Sequence, residues 1–330
     1  MSKILVLGAN SFSGQDFVDL LLDDPANTVI GVSRSPERST LFLRYRLRVE
    51  LLRYRYVQLD MNRQMRTLLQ LLDGEQPDAV VNFAAQSEVV PSWEHPEHWY
   101  QTNCVALAEL VNHLRRRTYL ERYIHVSSPE VYGTCIGDVR EEAPLRPSTP
   151  YAASKAAADL LLQTYARQFG FPVVFVRATN VYGARQQLFK IIPRSVVFVR
   201  LGKTIELHGG GAAVKSYIHI RDVSRGELAI LRDGRPGTIY HLSPSEGVAV
   251  RDVVRMIAER MGRRFEDCTT TVGERPGQDA AYVIDSTRAR TELGWKPQVA
   301  LEEGLSEVVA WVDAYWDEIV TQPLTYEHRA

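Results

Sequence analysis

Short apolar runs alternate with longer amphipathic stretches through the first half of this chain. The runs at 3–7, 28–32, 56–59, 79–83, 123–126 and 172–176 read as strands. Between them lie helical patterns. One begins after Gly14 with Phe17, Leu20, Leu21 and Leu22 apolar, and others run over 64–72, 97–116 and 156–168. Strands that alternate with helices imply right-handed crossovers and a parallel, doubly wound sheet, the Rossmann-type α/β class. Beyond residue 178 the pattern changes. Short strands at 205–207, 215–220 and 281–284, a glycine loop at Gly209-Gly210-Gly211, and helices at 250–261 and 301–316 predict a smaller α/β domain. The expected division is a dinucleotide-binding domain over 1–177, completed by strands inserted later in the chain, and a substrate domain over 178–330. A ligand cleft is expected between them.

Composition narrows the functional classes. The chain has 330 residues and a formal net charge of -1, so no global field favours nucleic acid or an acidic membrane. No apolar run approaches the roughly 20 residues that a membrane span needs. Met1-Ser2-Lys3 leads straight into a strand, which leaves no room for a signal peptide. Cys104, Cys135 and Cys268 are widely spaced and odd in number, which suggests a reducing compartment and a cytoplasmic protein without zinc. His95 and His98 sit among acids and a proline and read as a solvated helix start. No metal site is expected. Arginines and tyrosines cluster between Arg38 and Tyr56, and on a neutral chain they suit a nucleotide ligand, a subunit neighbour or solvent better than nucleic acid.

The candidate chemistry sits at strand ends. Gly8-Ala9-Asn10-Ser11-Phe12-Ser13-Gly14 follows the first strand and opens a helix, the context of a dinucleotide-binding turn. Gly8 allows the tight turn, Gly14 allows close helix packing, and Ser11 replaces the usual middle glycine. The second strand ends at Ser33-Arg34, where an NAD-selective enzyme carries an acid; Ser and Arg suit a 2′-phosphate, so NADP is favoured over NAD. Asp60-Met61 ends the third strand, with an acid able to accept from an adenine amino group. Ala84-Ala85-Gln86-Ser87 ends the fourth, and its small residues let backbone approach a cofactor. Ser127, Ser128, Pro129 and Glu130 end the fifth; an extended backbone puts Ser128 and Glu130 on one face. Tyr151 and Lys155 share one face of the following helix, and a lysine beside the phenol lowers its pKa and makes it an acid/base.

Taken in this order, the residues resemble the extended short-chain dehydrogenase/reductase family, in its nucleotide-sugar branch. The carrying stretches are His125 to Gly133, Pro150-Tyr151 through Lys155, Asn180-Val181-Tyr182-Gly183 and Arg275-Pro276-Gly277-Gln278-Asp279. They look most like the dTDP-glucose 4,6-dehydratases, while Ala84 to Ser87 and the Arg34 position look like the GDP-mannose 4,6-dehydratases. The resemblance implies an enzyme that oxidises C4 of a nucleotide hexose, eliminates water across C5–C6 and returns the stored hydride to C6. It implies Tyr151 as the base at the 4-hydroxyl and Lys155 as its partner and ribose contact. It also implies Ser128 at the 4-oxygen and Glu130 as the base at C5. Gln86, Ser87, Asn180, Lys190, Lys215 and Arg275 are the implied substrate contacts, and a homodimer formed by the helices around Leu107 and Leu160 is the implied assembly. Two departures stand out: Pro129 takes the place of the Asp that serves the dTDP-glucose enzymes as acid, and Lys215 replaces an Arg. A 4-epimerase or 4-ketoreductase on the same scaffold is the alternative. A silent NADP-binding regulator is a third reading, opposed by intact Ser128, Tyr151 and Lys155.

Overall fold

The computed structural model describes residues 2–135, 137, 139–274 and 281–329. Arg275 and the rest of its turn, 275–280, lie outside the described residues. Six strands form in the predicted order: β1 (Ser2–Leu7), β2 (Asn27–Ser33), β3 (Tyr54–Gln58), β4 (Ala79–Asn82), β5 (Arg122–Val126) and β6 (Val173–Ala178). A seventh strand, Ile239–Leu242, comes from the second half of the chain and pairs with β6. The sheet order is Ile239–Leu242, β6, β5, β4, β1, β2, β3, and every pairing is parallel.

Each strand of a covered parallel sheet feeds two cores, which is why the strands read as unbroken apolar runs. In β1, Ile4 and Val6 face Phe17, Val18 and Leu21 of α1 (Phe12–Leu21) and reach Ile230 beyond it. Leu5 and Leu7 face the other way, to Leu68 and Leu72 of α2 (Met65–Glu75) and to Leu110. The second half folds over the carboxyl ends of the strands. Its helices Ile191–Leu201, Val250–Arg260 and Leu301–Ala314 share a core of Ile192, Val196, Ile257, Leu305 and Trp311. The halves are laced together. The helix Ile220–Asp233 packs along α1, and the strand after it completes the first sheet.

The helix expected over 97–116 begins earlier and is broken into pieces: a short turn of helix, Pro91–Glu94, precedes it, followed by Pro96–Tyr100, a wide π turn at Gln101–Ala106, and Leu107–Leu114. Pro96 lacks the N–H that would continue the first piece. The wide turn carries Asn103, whose side chain donates to the Gln86 carbonyl at 3.0 Å and to Ser154 Oγ at 2.9 Å and accepts from the Gln86 amide at 2.9 Å. Turns of this kind gather at functional sites, and this one ties the β4 loop to the helix that carries Tyr151. The arginines of the basic cluster are largely structural: Arg48 meets Asp19 at 2.8 Å, and Arg53 donates to the Leu22, Asp24 and Asn27 carbonyls. Among the described residues no helix is long and apolar enough to cross a membrane.

Candidate active site

The turn after β1 is built by steric necessity. Gly8 has φ +83°, and a Cβ on it would meet the Ala84 amide nitrogen at 2.8 Å. A Cβ on Gly14 would lie 2.3 Å from the Gly8 carbonyl oxygen. Ser11, standing where a glycine is usual, caps α1: its Oγ accepts from the Gly14 amide at 3.0 Å. The positive end of α1 is thereby left facing the cleft, where an anionic diphosphate fits.

Three adjoining hollows make one trough across the carboxyl ends of the strands. The first is lined by Gly8, Asn10 and Ser11, by Ser33 and Arg34, by Asp60 and Met61, and by Ala84, Ala85 and Gln86. The second shares Ser11 and Ala85 with it and adds Phe12, Ser87, Ser128, Glu130, Tyr151 and Lys155. The third shares Glu130, Asn180 and Lys190 with the second and adds Lys215, Arg194 and apolar walls from Val89, Phe189, Leu207 and Tyr217. Every predicted site residue among the described ones therefore lines this trough, apart from Gly14, which packs beneath it. Gln86 falls with the cofactor set rather than with Asn180 and Lys190. Asn10 spends its amide on the loop after β2, donating to the Pro36 carbonyl at 2.7 Å and to Tyr56 OH at 2.9 Å.

The catalytic set is held from two sides. Thr149 caps the helix Pro150–Phe169, accepting from the Ala152 amide at 3.1 Å, with Pro150 in the first turn where a missing N–H costs nothing. Tyr151 and Lys155 lie one turn apart on that helix, both buried and both on the trough. Opposite them, β5 ends in a 3-10 turn, Pro129–Tyr132, and Ser128 caps it by accepting from the Glu130 amide at 3.2 Å. Ser128 and Glu130 share the trough because of this turn, and not because of the extended backbone that the sequence suggested.

The electrostatics correct a second expectation. Burial pushes the Tyr151 phenol above its ordinary range, the Glu130 carboxylate adds to the rise, and a hydrogen bond with Ser128 works against it. Lys155 does not donate to the phenol; its Nζ donates to the Val126 carbonyl at 2.6 Å. Burial pulls Lys155 down to about 8, against the attraction of Asp159. Beneath the pair lies a polar network. Arg177 and Asp159, both fully buried, meet at 2.6 Å; Ser127 Oγ donates to Asp159 at 2.7 Å; Arg177 donates to Tyr132 OH, which lies 2.7 Å from His241 Nε2. The network fixes β5, β6, the 3-10 turn and the Tyr151 helix to one another.

Sequence reasoning named Lys190 and Lys215 but missed Glu88, Arg194, His328 and Arg329. Lys190 Nζ is paired with Glu88 at 2.7 Å, and Arg194 follows it one helical turn later; the four-residue spacing was the available signal. Lys215 lies over the Tyr282 ring, 4.1 Å from its centre. The segment near the end of the chain crosses the cofactor hollow: the Arg329 carbonyl accepts from Arg34 Nη1 at 3.0 Å and from Gln86 Nε2 at 2.7 Å. His328 stacks on Trp99, His95 and His98, with a 2.8 Å hydrogen bond to His98 Nδ1. His95 and His98 are thus half of a ring cluster that a solvated helix start did not suggest, and with Glu97 they bring ligand atoms within 4.8 Å. Leu107, expected on a subunit face, belongs to the core, whereas Leu160 and Val105 are exposed.

A glycine turn on a seven-stranded parallel sheet, with a Ser, Tyr and Lys at its carboxyl edge, defines a dinucleotide-dependent enzyme class of the short-chain dehydrogenase type. The family described as GDP-mannose 4,6 dehydratase matches residues 5–308, and the chain belongs to that family. It is 33% identical over 327 residues to a dTDP-glucose 4,6-dehydratase of Streptomyces niveus, covering 96% of this chain and 95% of the relative. The human dTDP-D-glucose 4,6-dehydratase is 32% identical over 247 residues, 73% of this chain and 70% of that one. Among solved structures, the dTDP-glucose 4,6-dehydratase of Streptomyces venezuelae with NAD bound superposes with a TM-score of 0.88 at 32% identity, covering 96% and 98% of the two chains. The UDP-glucuronic acid 4-epimerase of Bacillus cereus, solved with UDP-glucuronic acid and NAD, gives 0.87 at 26% identity, covering 94% and 99%.

Proposed function

We propose that this chain is a nucleotide-hexose 4,6-dehydratase that recycles its nicotinamide cofactor within each turnover. The observation that carries the reading is the single trough in which Ser128, Glu130, Tyr151 and Lys155 stand between a dinucleotide hollow and a second hollow with cationic side chains and apolar walls. Gly8, Ser11 and the first turn of α1 suit the diphosphate of a dinucleotide, and Ala84 and Ala85 let its ring side approach. Bound there, the nicotinamide supplies one hydride acceptor and, later, the donor of the same hydride.

The chain's own residues then divide the work. Tyr151 takes the proton of the sugar 4-hydroxyl, and Ser128, which lines the same hollow, steadies the same oxygen. Burial disfavours the phenolate, so Tyr151 reaches that state only with compensating positive charge; Lys155 is the nearest source on the same helix face. Glu130 removes the C5 proton once C4 is a ketone, and hydroxide leaves C6 as water after protonation. Pro129 offers no acid for that last step, so the proton taken by Glu130 is the one delivered. Lys190, Arg194 and Lys215 hold the sugar diphosphate, and Phe189, Leu207 and Tyr217 flank its base.

NADP is the favoured cofactor, on Ser33 and Arg34 at the end of β2 with no acid between them, although the structural relatives were solved with NAD. A homodimer through the exposed apolar positions near Val105 and Leu160 is part of the same reading. A 4-epimerase is the second reading, favoured by Pro129 and by the epimerase likeness. Mass spectrometry after incubation with a panel of nucleotide sugars, without added reduced cofactor, separates them. Loss of one water with no net cofactor change is the expected result, and the panel names the nucleotide. An isomer of unchanged mass makes the chain an epimerase. A product only with NADPH and a 4-keto sugar makes it a reductase. Within the dehydratase reading, Glu130→Gln leaves cofactor binding intact and abolishes deuterium exchange at C5; unchanged exchange removes Glu130 as the base.

A further inference from the structure

Glu227 is a fully buried acid on the trough that the proposed reaction leaves without a role. It lies on the helix Ile220–Asp233, is 1% exposed, and neither carboxyl oxygen has a hydrogen-bond partner. A buried carboxyl group with no partner is costly and calls for a ligand. The two helices that meet here run antiparallel. Arg221 Nη2 reaches Asp19 at 2.7 Å and Ser224 Oγ reaches Asp16 at 2.7 Å, so three residues forward on one helix match three residues back on the other. One more step sets Glu227 against Ser13, in the first turn of α1. Ser11, Ser13 and Glu227 indeed line the same hollow.

The charges around Glu227 decide its form. Asp16 of α1 faces it and is itself an acid; Arg221 is committed to Asp16 at 3.1 Å and Asp19 at 2.7 Å. Burial and then Asp16 both hold the Glu227 carboxyl well above the usual carboxylate range. An ionised Glu227 would also repel an anion docked at the start of α1, whereas the neutral acid has an O–H to give.

We infer that Glu227 carries its proton in the folded protein and donates a hydrogen bond to the diphosphate of the bound nicotinamide dinucleotide. The inference rests on the cofactor reading above and adds to it a positioning residue on the second half of the chain. Equilibrium binding of NAD and NADP, followed by tryptophan fluorescence, tests it in the full chain. Glu227→Gln keeps a neutral donor and binds within about threefold of wild type. Glu227→Leu loses the donor and binds roughly 10- to 100-fold more weakly, as expected for a hydrogen bond to a charged group. The loss is equal for both dinucleotides, because the diphosphate is common to them, and it comes without a lower melting temperature, because the orphaned carboxyl is gone. Wild-type affinity also falls as pH rises, and Glu227→Gln removes that trend. Leu binding like wild type, or Gln as weak as Leu, overturns the inference. A wild-type protein that binds neither dinucleotide overturns instead the cofactor reading beneath it.

Discussion

Arg177→Met is the substitution whose cost is best defined by the geometry. The guanidinium and the Asp159 carboxylate are both fully buried and meet at 2.6 Å. Removing one partner of such a pair strands the other and costs about 3–5 kcal/mol. Asp159 would keep Ser127 Oγ at 2.7 Å, and His125 Nε2 stands 3.5 Å away, but burial drives His125 well below its ordinary range and leaves it neutral. Neither of these replaces a cation; Lys155 also attracts Asp159, but its Nζ donates to the Val126 carbonyl, so the loss falls toward the lower end of that range. With a urea m-value of about 3 kcal/mol/M for a chain of this size, the midpoint should fall by about 1 M or more. Urea unfolding followed by both circular dichroism and fluorescence gives the number, coincident transitions justifying a two-state fit. The double variant Asp159→Leu/Arg177→Met should recover most of the loss, because apolar residues often replace a buried pair at little cost. A single-variant loss below about 1 kcal/mol, the range of an exposed pair, refutes the argument. So does a double variant no better than the single one.

Three further outcomes follow from geometry already described. Lys155 has a folded pKa of about 8 against an ordinary 10.5, so its protonated form is penalised on folding, and that penalty is relieved as pH rises from about 8 toward 10.5. Wild-type stability should therefore gain on Lys155→Met with rising pH across that window in parallel denaturation series; parallel curves would remove the burial argument. Gly14→Ala places a Cβ against the Gly8 carbonyl oxygen at 2.3 Å, forces the β1 turn open and should weaken dinucleotide binding more than tenfold by fluorescence titration, while Gly74→Ala, at an open position, leaves it unchanged. Arg34→Asp should weaken NADP much more than NAD, and deleting residues 323–329, which removes the Arg329 carbonyl from Arg34, should tighten NADP; equal effects on both dinucleotides would end the 2′-phosphate assignment.

Much of this architecture is legible in the sequence. The β1 turn could be read because its chemistry is local: glycine is demanded by one carbonyl a few residues away. The Ser128 to Lys155 set could be read because a strand end and a helix start each have a short sequence signature. What escaped reading is contact across long separations. Asn103 and Gln86, Asp159 and Arg177, Arg329 and Arg34 meet only when the sheet is assembled, and no periodicity marks them. The effect of Lys155 on Tyr151 was misjudged for a related reason: helical spacing gives the face of a side chain, but the Val126 carbonyl that captures the ammonium belongs to β5. Glu227 carries no sequence signature at all, and its place on the trough depends on the helix Ile220–Asp233 packing along α1.

The strand Ile239–Leu242 carries a practical lesson for recombination. It belongs to the second half by sequence and to the first sheet by pairing, so the chain passes between the two regions more than once. A cut near residue 178 would strip β6 of its neighbour and expose a row of unpaired backbone groups. Chimeras that graft a new sugar-binding region onto this sheet should therefore carry two crossovers. They should keep 220–242 from this chain, so that the helix seated on α1 and the strand that closes the sheet travel with the sheet they complete.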